Sequence, residues 1–286
     1  MFIEALKSIL IGIVQGITEW LPVSSTGHMI LVERFCSFRD TYMSDDFYKN
    51  LFLIVIQLGS ILAVAVLYFH KLNPFSAKKS KQEKKDTWIL WSKVAVGALP
   101  TAVAGLLLDD WLESNVFVDS IVCYVVAAAL FVYGIAFILI ERWKSGQSIP
   151  YDIVSVNDIT YRTAFCIGAF QILSMVPGTS RSGSTILGAM LMGVSRTAAA
   201  EFSFFMASPV MLGASGLRTV KYVAEGHPLE TNALILLGIA FVVAFVVSLV
   251  SIRFLMDFVR RHSFEAFGWY RIILAVLLFV LFLFVL

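Results

Sequence analysis

Six long apolar stretches constrain the fold of this chain more than any other feature. A helix needs about 20 mostly apolar residues to cross the hydrocarbon core of a bilayer. The stretches that meet this requirement are Leu51–Phe69, Trp88–Leu108, Ser120–Ile140, Phe202–Leu217, Thr231–Ile252 and Trp269–Leu286. Of the 286 residues, 59% are hydrophobic and 15% are charged, whereas soluble domains average about 45–50% and about 25%. The sequence therefore predicts an all-α integral membrane protein with six transmembrane helices.

The charge of the chain indicates which partners to expect. The formal net charge is only +2, and the basic residues lie in loops between apolar stretches rather than in a stripe with aromatic residues. Nucleic-acid binding normally requires such a basic surface. We therefore expect membrane lipids around the protein and no nucleic-acid partner.

The loop charges predict the orientation in the membrane. The loop Lys71–Asp86 contains six lysines and two acidic residues, whereas Asp109–Asp119 contains four acidic residues and no basic one. Cytoplasmic loops carry an excess of Lys and Arg, so the first loop is assigned to the inside and the second to the outside. On this map, segment 3–35 enters and leaves on the external face, and segment 163–196 does so on the cytoplasmic face. Both segments are predicted to be re-entrant helical hairpins.

The two predicted hairpins also resemble each other. A shift of 156 positions aligns six pairs of identical residues: Gly12 with Gly168, Gln15 with Gln171, Ser24 with Ser180, Gly27 with Gly183, Ile30 with Ile186 and Leu31 with Leu187. Each hairpin precedes three predicted spans, and the second set is inverted relative to the first. We predict one membrane domain, residues 1–286, built from inverted repeats of approximately 1–140 and 160–286, an arrangement common among transporters.

Gln15 and Glu19 are the first candidate functional residues, because a spacing of four places them on one face of a helix. A carboxylate inside a membrane is costly to desolvate and normally has a partner. Glu19 is therefore predicted to bind a divalent cation that holds phosphate. The alternative is a structural ion pair with Arg181.

The segment Pro22–His28 follows directly. Its hydroxyls and glycine resemble a helix N-terminus, where free amides bind anions such as phosphate. Ser24, Thr26 and Gly27 are thus candidate phosphate-binding residues. His28 lies three residues after Ser25, close enough on a helical turn for the imidazole to reach the hydroxyl and act as its base. The alternatives are plain helix capping and an imidazole bonded to a backbone carbonyl.

The segment Pro177–Thr185 contributes Arg181. A guanidinium presents a planar fork that matches phosphate oxygens, and the surrounding residues add hydroxyls and flexible backbone amides. The candidate phosphate-binding residues here are Ser180, Arg181, Ser182, Gly183 and Thr185. The structural alternative is that Arg181 neutralises Glu19 while small residues allow close helix packing.

Other features carry less information. Gln57, Ser60 and Glu201 are polar residues in or near predicted spans; Gln57 could line a cavity, but we expect interhelical hydrogen bonds. The chain lacks the P-loop, HExxH and GxSxG motifs, so nucleotide-driven transport, zinc proteolysis and hydrolase-fold esterase chemistry have no support.

At Gln15–Glu19, Pro22–His28 and Pro177–Thr185 the chain resembles the undecaprenyl pyrophosphate phosphatase family of the bacitracin-resistance type, over nearly its whole length. The resemblance implies hydrolysis of undecaprenyl diphosphate to its monophosphate and phosphate, which recycles the lipid carrier for peptidoglycan and other envelope polymers. It also implies a divalent metal, Mg²⁺ or Ca²⁺, and a site on the external side of the bacterial cytoplasmic membrane.

The resemblance also implies residue roles. Glu19 corresponds to the carboxylate that organises metal or phosphate, Ser25 to the candidate nucleophile, His28 to the acid/base and Arg181 to the phosphate clamp. Ser182 and Thr185 support that clamp. Gln15 is a candidate metal contact but has an amide where relatives have Glu, so it cannot supply a second carboxylate.

Several alternatives stay open at this point. Ser25 could attack phosphorus, or His28 could activate water instead. Because inverted repeats are typical of transporters, the protein could also move a polyisoprenyl phosphate across the membrane. A passive anion channel would explain Arg181 but not the group of Glu19, Ser25 and His28. The sequence is compatible with a homodimer and does not define the oligomeric state.

Overall fold

The computed structural model describes residues 1–35, 43–44, 47–116, 119–147, 151–227 and 229–285. Within these ranges the protein is helical and has no strand. A single isolated parallel bridge joins Ile153 to Val194. The all-α prediction is therefore confirmed for the described residues.

The described part of the first half contains five main helices: α1 (Phe2–Thr18), α2 (Ser25–Phe35), α3 (Leu53–Leu67), α4 (Lys81–Asn115) and α5 (Asp119–Ser145). A π-helical turn, Tyr48–Phe52, leads into α3, and a short helical turn, Phe69–Leu72, follows it.

Where the structure describes the second half, it also has five main helices: α6 (Tyr161–Ile172), α7 (Arg181–Leu191), α8 (Arg196–Ala224), α9 (Thr231–Arg261) and α10 (Glu265–Val285). Short 3₁₀ turns, Val156–Asp158 and Leu173–Met175, precede and follow α6. In each half, a pair of helices joined by a polar turn comes before three further helices.

Among the described residues, four helices are long and apolar enough to cross a membrane: Lys81–Leu108, Ile121–Ser145, Thr231–Arg261 and Glu265–Phe284. Four predicted spans overlap them, although the last residue of one, Leu286, lies outside the described part of the chain. The other two predictions fall on shorter or more polar helices. Leu51–Phe69 contains the 15-residue α3, and Phe202–Leu217 lies within α8, which also carries Arg196 and Glu201. The protein is thus multi-pass, and the count of six spans stays a prediction.

Glycines allow helices from the two halves to pack closely against each other. Helix α1 packs against α9, and α6 packs against α4. A Cβ atom at Gly12 would lie 2.7 Å from the carbonyl oxygen of Ala240, and a Cβ atom at Gly168 would collide with the backbone of Gly97. Only glycine allows backbones to approach so closely. The first helix of each half therefore packs against a long helix of the other half.

The last helices of the two halves also cross at glycines. Helices α5 and α10 pack against each other. A Cβ at Gly134 would lie 2.8 Å from the carbonyl oxygen of Gly268, and a Cβ at Gly268 would lie 2.7 Å from that of Gly134. This close crossing brings α10 alongside both polar turns, where two of its side chains contact the candidate site.

Candidate active site

Two serines shape the polar turns that precede α2 and α7. Ser24 and Ser180 both have φ of +71°, and they are the only residues other than glycine with positive φ in the described ranges. Ser24 Oγ accepts a hydrogen bond from the amide of Gly27 at 3.3 Å, and Ser180 Oγ accepts one from Gly183 at 3.2 Å. The left-handed backbone turns the chain sharply, and each hydroxyl then caps the next helix. Both turns therefore present a helix N-terminus.

Glu19 connects the two turns. Its side chain is only 8% exposed, and Arg181 Nη2 donates to Oε1 at 3.1 Å. Gln15 Nε2 donates to the other oxygen, Oε2, at 3.0 Å. The ion pair considered above is thus present, and Gln15 lies on the same helix face as predicted. Both carboxylate oxygens of Glu19 accept hydrogen bonds from the protein.

Arg181 is held from several sides. In addition to the bond to Glu19, its Nη1 donates to the carbonyl oxygen of Ser203 at 3.0 Å. Its Cζ lies 5.5 Å from the ring centroid of Trp20, which is a cation–π distance. The Nε atom is buried and has no hydrogen-bond partner among the described residues. The guanidinium is therefore fixed before any ligand binds.

Both ring nitrogens of His28 bond to groups other than the Ser25 hydroxyl. Its Nδ1 lies 2.7 Å from the carbonyl oxygen of Ser24, and its Nε2 lies 2.6 Å from the hydroxyl of Tyr270. Because a carbonyl can only accept, Nδ1 carries a proton, and in the neutral ring Nε2 accepts from Tyr270. The structure thus shows the carbonyl-bonded imidazole considered as an alternative. For His28 to serve as base for Ser25 or for water, Nε2 must leave Tyr270.

A cavity of about 160 Å³ opens between the two turns. It is lined by Glu19, Ser25, Thr26, Gln57, Ser174, Gly178, Ser180, Arg181 and Met211. Five of these were predicted as site residues, and they come from both turns. One polar cavity is therefore lined by residues of both turns.

Other predicted site residues do not line this cavity. The Ser182 hydroxyl lies 3.3 Å from the carbonyl oxygen of Leu21, and Thr185 Oγ1 lies 2.6 Å from Ser203 Oγ. Ser24 is buried and bonds to Gly27. In this conformation these hydroxyls bond to other groups of the protein and hold the two turns in shape. His28, Gly27 and Gly183 likewise lie outside the lining.

Gln57 lines the cavity, a role that the sequence allowed but ranked below an interhelical hydrogen bond. Sequence reasoning missed other neighbours of the site. Ser174 and Met211 line the cavity and carried no recognisable signal. Tyr270 and Arg271, both in α10, contact the two turns. A lone arginine within an apolar helix is itself a sign of function in membrane proteins, so Arg271 could have been found.

Comparisons with known proteins show the family of this chain. The family model described as bacitracin resistance protein BacA matches residues 8–277. A protein named undecaprenyl-diphosphatase from Enterococcus faecalis is 51% identical over 278 residues, covering 97% of both chains. Proteins of the same name from Limosilactobacillus fermentum and Streptococcus mutans are 49% and 50% identical, each over at least 96% of both chains. This chain belongs to the BacA bacitracin resistance protein family.

Proposed function

We propose that this protein hydrolyses undecaprenyl diphosphate to undecaprenyl phosphate and inorganic phosphate. The observation that carries the proposal is the Glu19–Arg181 pair, which joins two capped helix N-termini at one polar cavity. Such helix ends bind phosphate, and the named relatives cover nearly the whole chain. A buried cation beside free amides stabilises the charge that develops during phosphoryl transfer.

The reaction breaks the bond between the terminal phosphorus and the bridging oxygen. In one route, Ser25 Oγ attacks phosphorus, undecaprenyl phosphate leaves, and water then hydrolyses the phosphoserine. In the other, water attacks directly and inorganic phosphate forms in one step. In both routes the nucleophile gives up its proton to a base, for which His28 Nε2 is the candidate once it is released from Tyr270. The cavity position of Ser25 is compatible with either route.

We propose that a divalent cation, Mg²⁺ or Ca²⁺, would bind here together with the substrate phosphates. Glu19 would supply a carboxylate oxygen and Gln15 its amide oxygen, since the described residues contain no group of three or more His, Cys, Asp or Glu side chains placed to hold a metal by themselves. Mg²⁺ is commonly bound through one or two carboxylates plus substrate phosphates. When bound, the cation would neutralise charge on the diphosphate.

We further propose that the chain contains six spans and two re-entrant hairpins related by an inverted repeat. The matching φ angles of Ser24 and Ser180 and the matching packing of Gly12 and Gly168 support this arrangement. We also propose that the cavity faces the external side of the bacterial cytoplasmic membrane, and the loop charges support the orientation of the chain that this requires. A homodimer is compatible with this proposal but not required by it, because a single chain lines the cavity.

The transporter alternative has no support from the comparisons, because the relatives are named as diphosphatases. The decisive assay measures phosphate release from undecaprenyl diphosphate by the purified protein in detergent. Detergent abolishes vectorial transport and leaves hydrolysis measurable. We expect release that is stimulated by Mg²⁺ or Ca²⁺ and lost with chelator, whereas no release under any metal condition would refute the phosphatase proposal.

A further inference from the structure

Arg271 is a fully buried arginine that contacts both polar turns. Its residue exposure is 0%. From α10, its Nε donates to the carbonyl oxygen of Pro22, and its Nη2 donates to that of Thr179 at 2.9 Å. Pro22 lies just before the cap of α2, and Thr179 lies just before the cap of α7. One guanidinium therefore ties together the two segments that form the cavity.

The charge of Arg271 has no carboxylate to balance it within the described ranges. Arg181 and Arg196 each pair with a glutamate, whereas the described contacts of the Arg271 guanidinium are with backbone carbonyls and aromatic rings. Its Cζ lies 5.5 Å from the ring centroid of Tyr133 and 5.6 Å from that of Phe137. Its Nη1 is buried without a hydrogen-bond partner among these residues. Burying an unpaired charge is costly, which makes a purely structural role a poor explanation.

The guanidinium packs directly against the first turn of α7. A Cβ atom at Gly183 would lie 2.6 Å from Arg271 Nη2 and 3.4 Å from Cζ. The glycine at this position therefore makes room for the cation. The positive charge lies beside the positive end of the α7 dipole, so the two fields add at the anion-binding end of the helix.

Among the described residues near the cavity, Arg271 carries a positive charge that no carboxylate balances. Arg181 is also cationic, but Glu19 neutralises it at 3.1 Å. We propose that Arg271 is a positioning residue that holds the two turns together and supplies the unbalanced positive charge that attracts the diphosphate group. This inference rests on the proposed function, because it assigns diphosphate to the same cavity.

Charge-neutral and charge-retaining variants test the inference. We would measure KM and kcat for undecaprenyl diphosphate, and the inhibition constant Ki of inorganic pyrophosphate, for wild type, Arg271→Gln and Arg271→Lys. A unit charge acting over about 10 Å at an effective dielectric constant of about 20 changes binding by more than about tenfold. We expect Arg271→Gln to raise KM and Ki by about tenfold or more, and Arg271→Lys to keep Ki within about threefold of wild type. Equal Ki values in both variants, or an unchanged Ki in Arg271→Gln, would overturn the proposal.

A matched arginine controls for structural effects. Arg196 donates to Glu141 through both Nε and Nη2 and does not line the cavity. We expect Arg196→Gln to lower the melting temperature in detergent and leave Ki unchanged. A rise in Ki equal to that of Arg271→Gln would attribute the effect to general destabilisation and overturn the proposal.

Two further measurements keep the test decisive. If Arg271→Gln does not fold, Gly183→Ala takes its place, because the added methyl displaces the guanidinium without removing its charge. A several-fold rise in Ki then supports the proposal, and an unchanged Ki overturns it. If wild type releases no phosphate, the proposed function fails. The inference about Arg271 is then tested by the rise in melting temperature that pyrophosphate causes, which should be smaller in Arg271→Gln than in wild type. An equal rise in both proteins would overturn the inference.

Discussion

Arg181 and Glu19 are 162 positions apart in the chain, yet Arg181 Nη2 donates to Glu19 Oε1 at 3.1 Å. The pair is mostly buried, with side-chain exposures of 12% and 8%. Each residue also bonds to its own surroundings, Arg181 to Ser203 and Glu19 to Gln15. The guanidinium of Arg181 and the carboxylate of Glu19 thus hold each other in place. Changes to either residue should affect both substrate binding and turnover.

Replacement of Arg181 by lysine should greatly reduce turnover. Lysine retains the charge, but its ammonium cannot donate from two separate nitrogens to Ser203 and Glu19 as the fork does. Loss of one preorganised donor at a reaction centre typically lowers kcat by about 10²–10³-fold. Phosphate release by the purified variant measures the change, with Lys71→Arg as a control outside the cavity. Near-normal kcat in Arg181→Lys would remove Arg181 from the site.

Replacement of Gln15 by glutamate should change the metal requirement. The substitution removes the hydrogen bond from Gln15 Nε2 to Glu19 Oε2 and adds a second carboxylate on the same helix face. We expect half-maximal activation at a Mg²⁺ concentration several-fold lower, and a correspondingly higher chelator concentration needed to remove activity. Titration of Mg²⁺ into chelator-treated protein provides the measurement. An identical metal dependence in both proteins would place the cation away from Gln15.

Replacement of Ser25 by alanine separates the two chemical routes. If Ser25 is the nucleophile, the variant should lose activity by about 10³-fold or more and form no phosphoprotein during turnover. Ser174→Ala is a suitable control, since Ser174 also lines the cavity and its hydroxyl donates to the Gln171 carbonyl. Acid quenching followed by mass spectrometry detects phosphoserine. Retention of most activity in Ser25→Ala would instead favour direct attack by water.

Replacement of Gly168 by alanine should destabilise the protein. Its Cβ would overlap the backbone of Gly97, where α6 crosses α4, and overpacking costs about 1–3 kcal/mol. At Gly105 in α4, an added Cβ would meet no neighbouring side chain or helix within 4 Å. Gly105→Ala should therefore be neutral or stabilising by up to about 1 kcal/mol. Thermal unfolding in detergent compares the two variants. Equal melting temperatures would show that the α4–α6 contact contributes little.

The sequence predicted the members of the central pair because ionisable residues are rare and costly in apolar segments. Glu19 and Arg181 stand out for this reason, and the repeat placed them in equivalent turns. The orientation of His28 was not predictable, because it depends on Tyr270, which is 242 positions away and reaches His28 only through packing of α10. Local spacing indicated that His28 contacts Ser25. Instead, the two ring nitrogens bond to the Ser24 carbonyl and the Tyr270 hydroxyl.

Helix identity was also easier to predict than helix limits. Apolar length found α4, but the helix begins earlier than Trp88, at Lys81, because Ser80 and Glu83 form a capping box. Helix α8 carries Arg196 and Glu201 before its apolar part, and these charges bond to Glu141 and Lys71. Such partners come from distant parts of the chain, so hydropathy alone could not place the helix start.

The packing of α1 on α9 has a consequence for biosynthesis. Helix α1 is made first, but the surface that receives Gly12 and Gly16 lies on α9, which begins at Thr231. The ribosome must therefore add more than 200 residues before the earliest helix can reach its final neighbour. Arg181 is likewise translated 162 residues after Glu19, so the Glu19 carboxylate has no arginine partner when its own segment is first made.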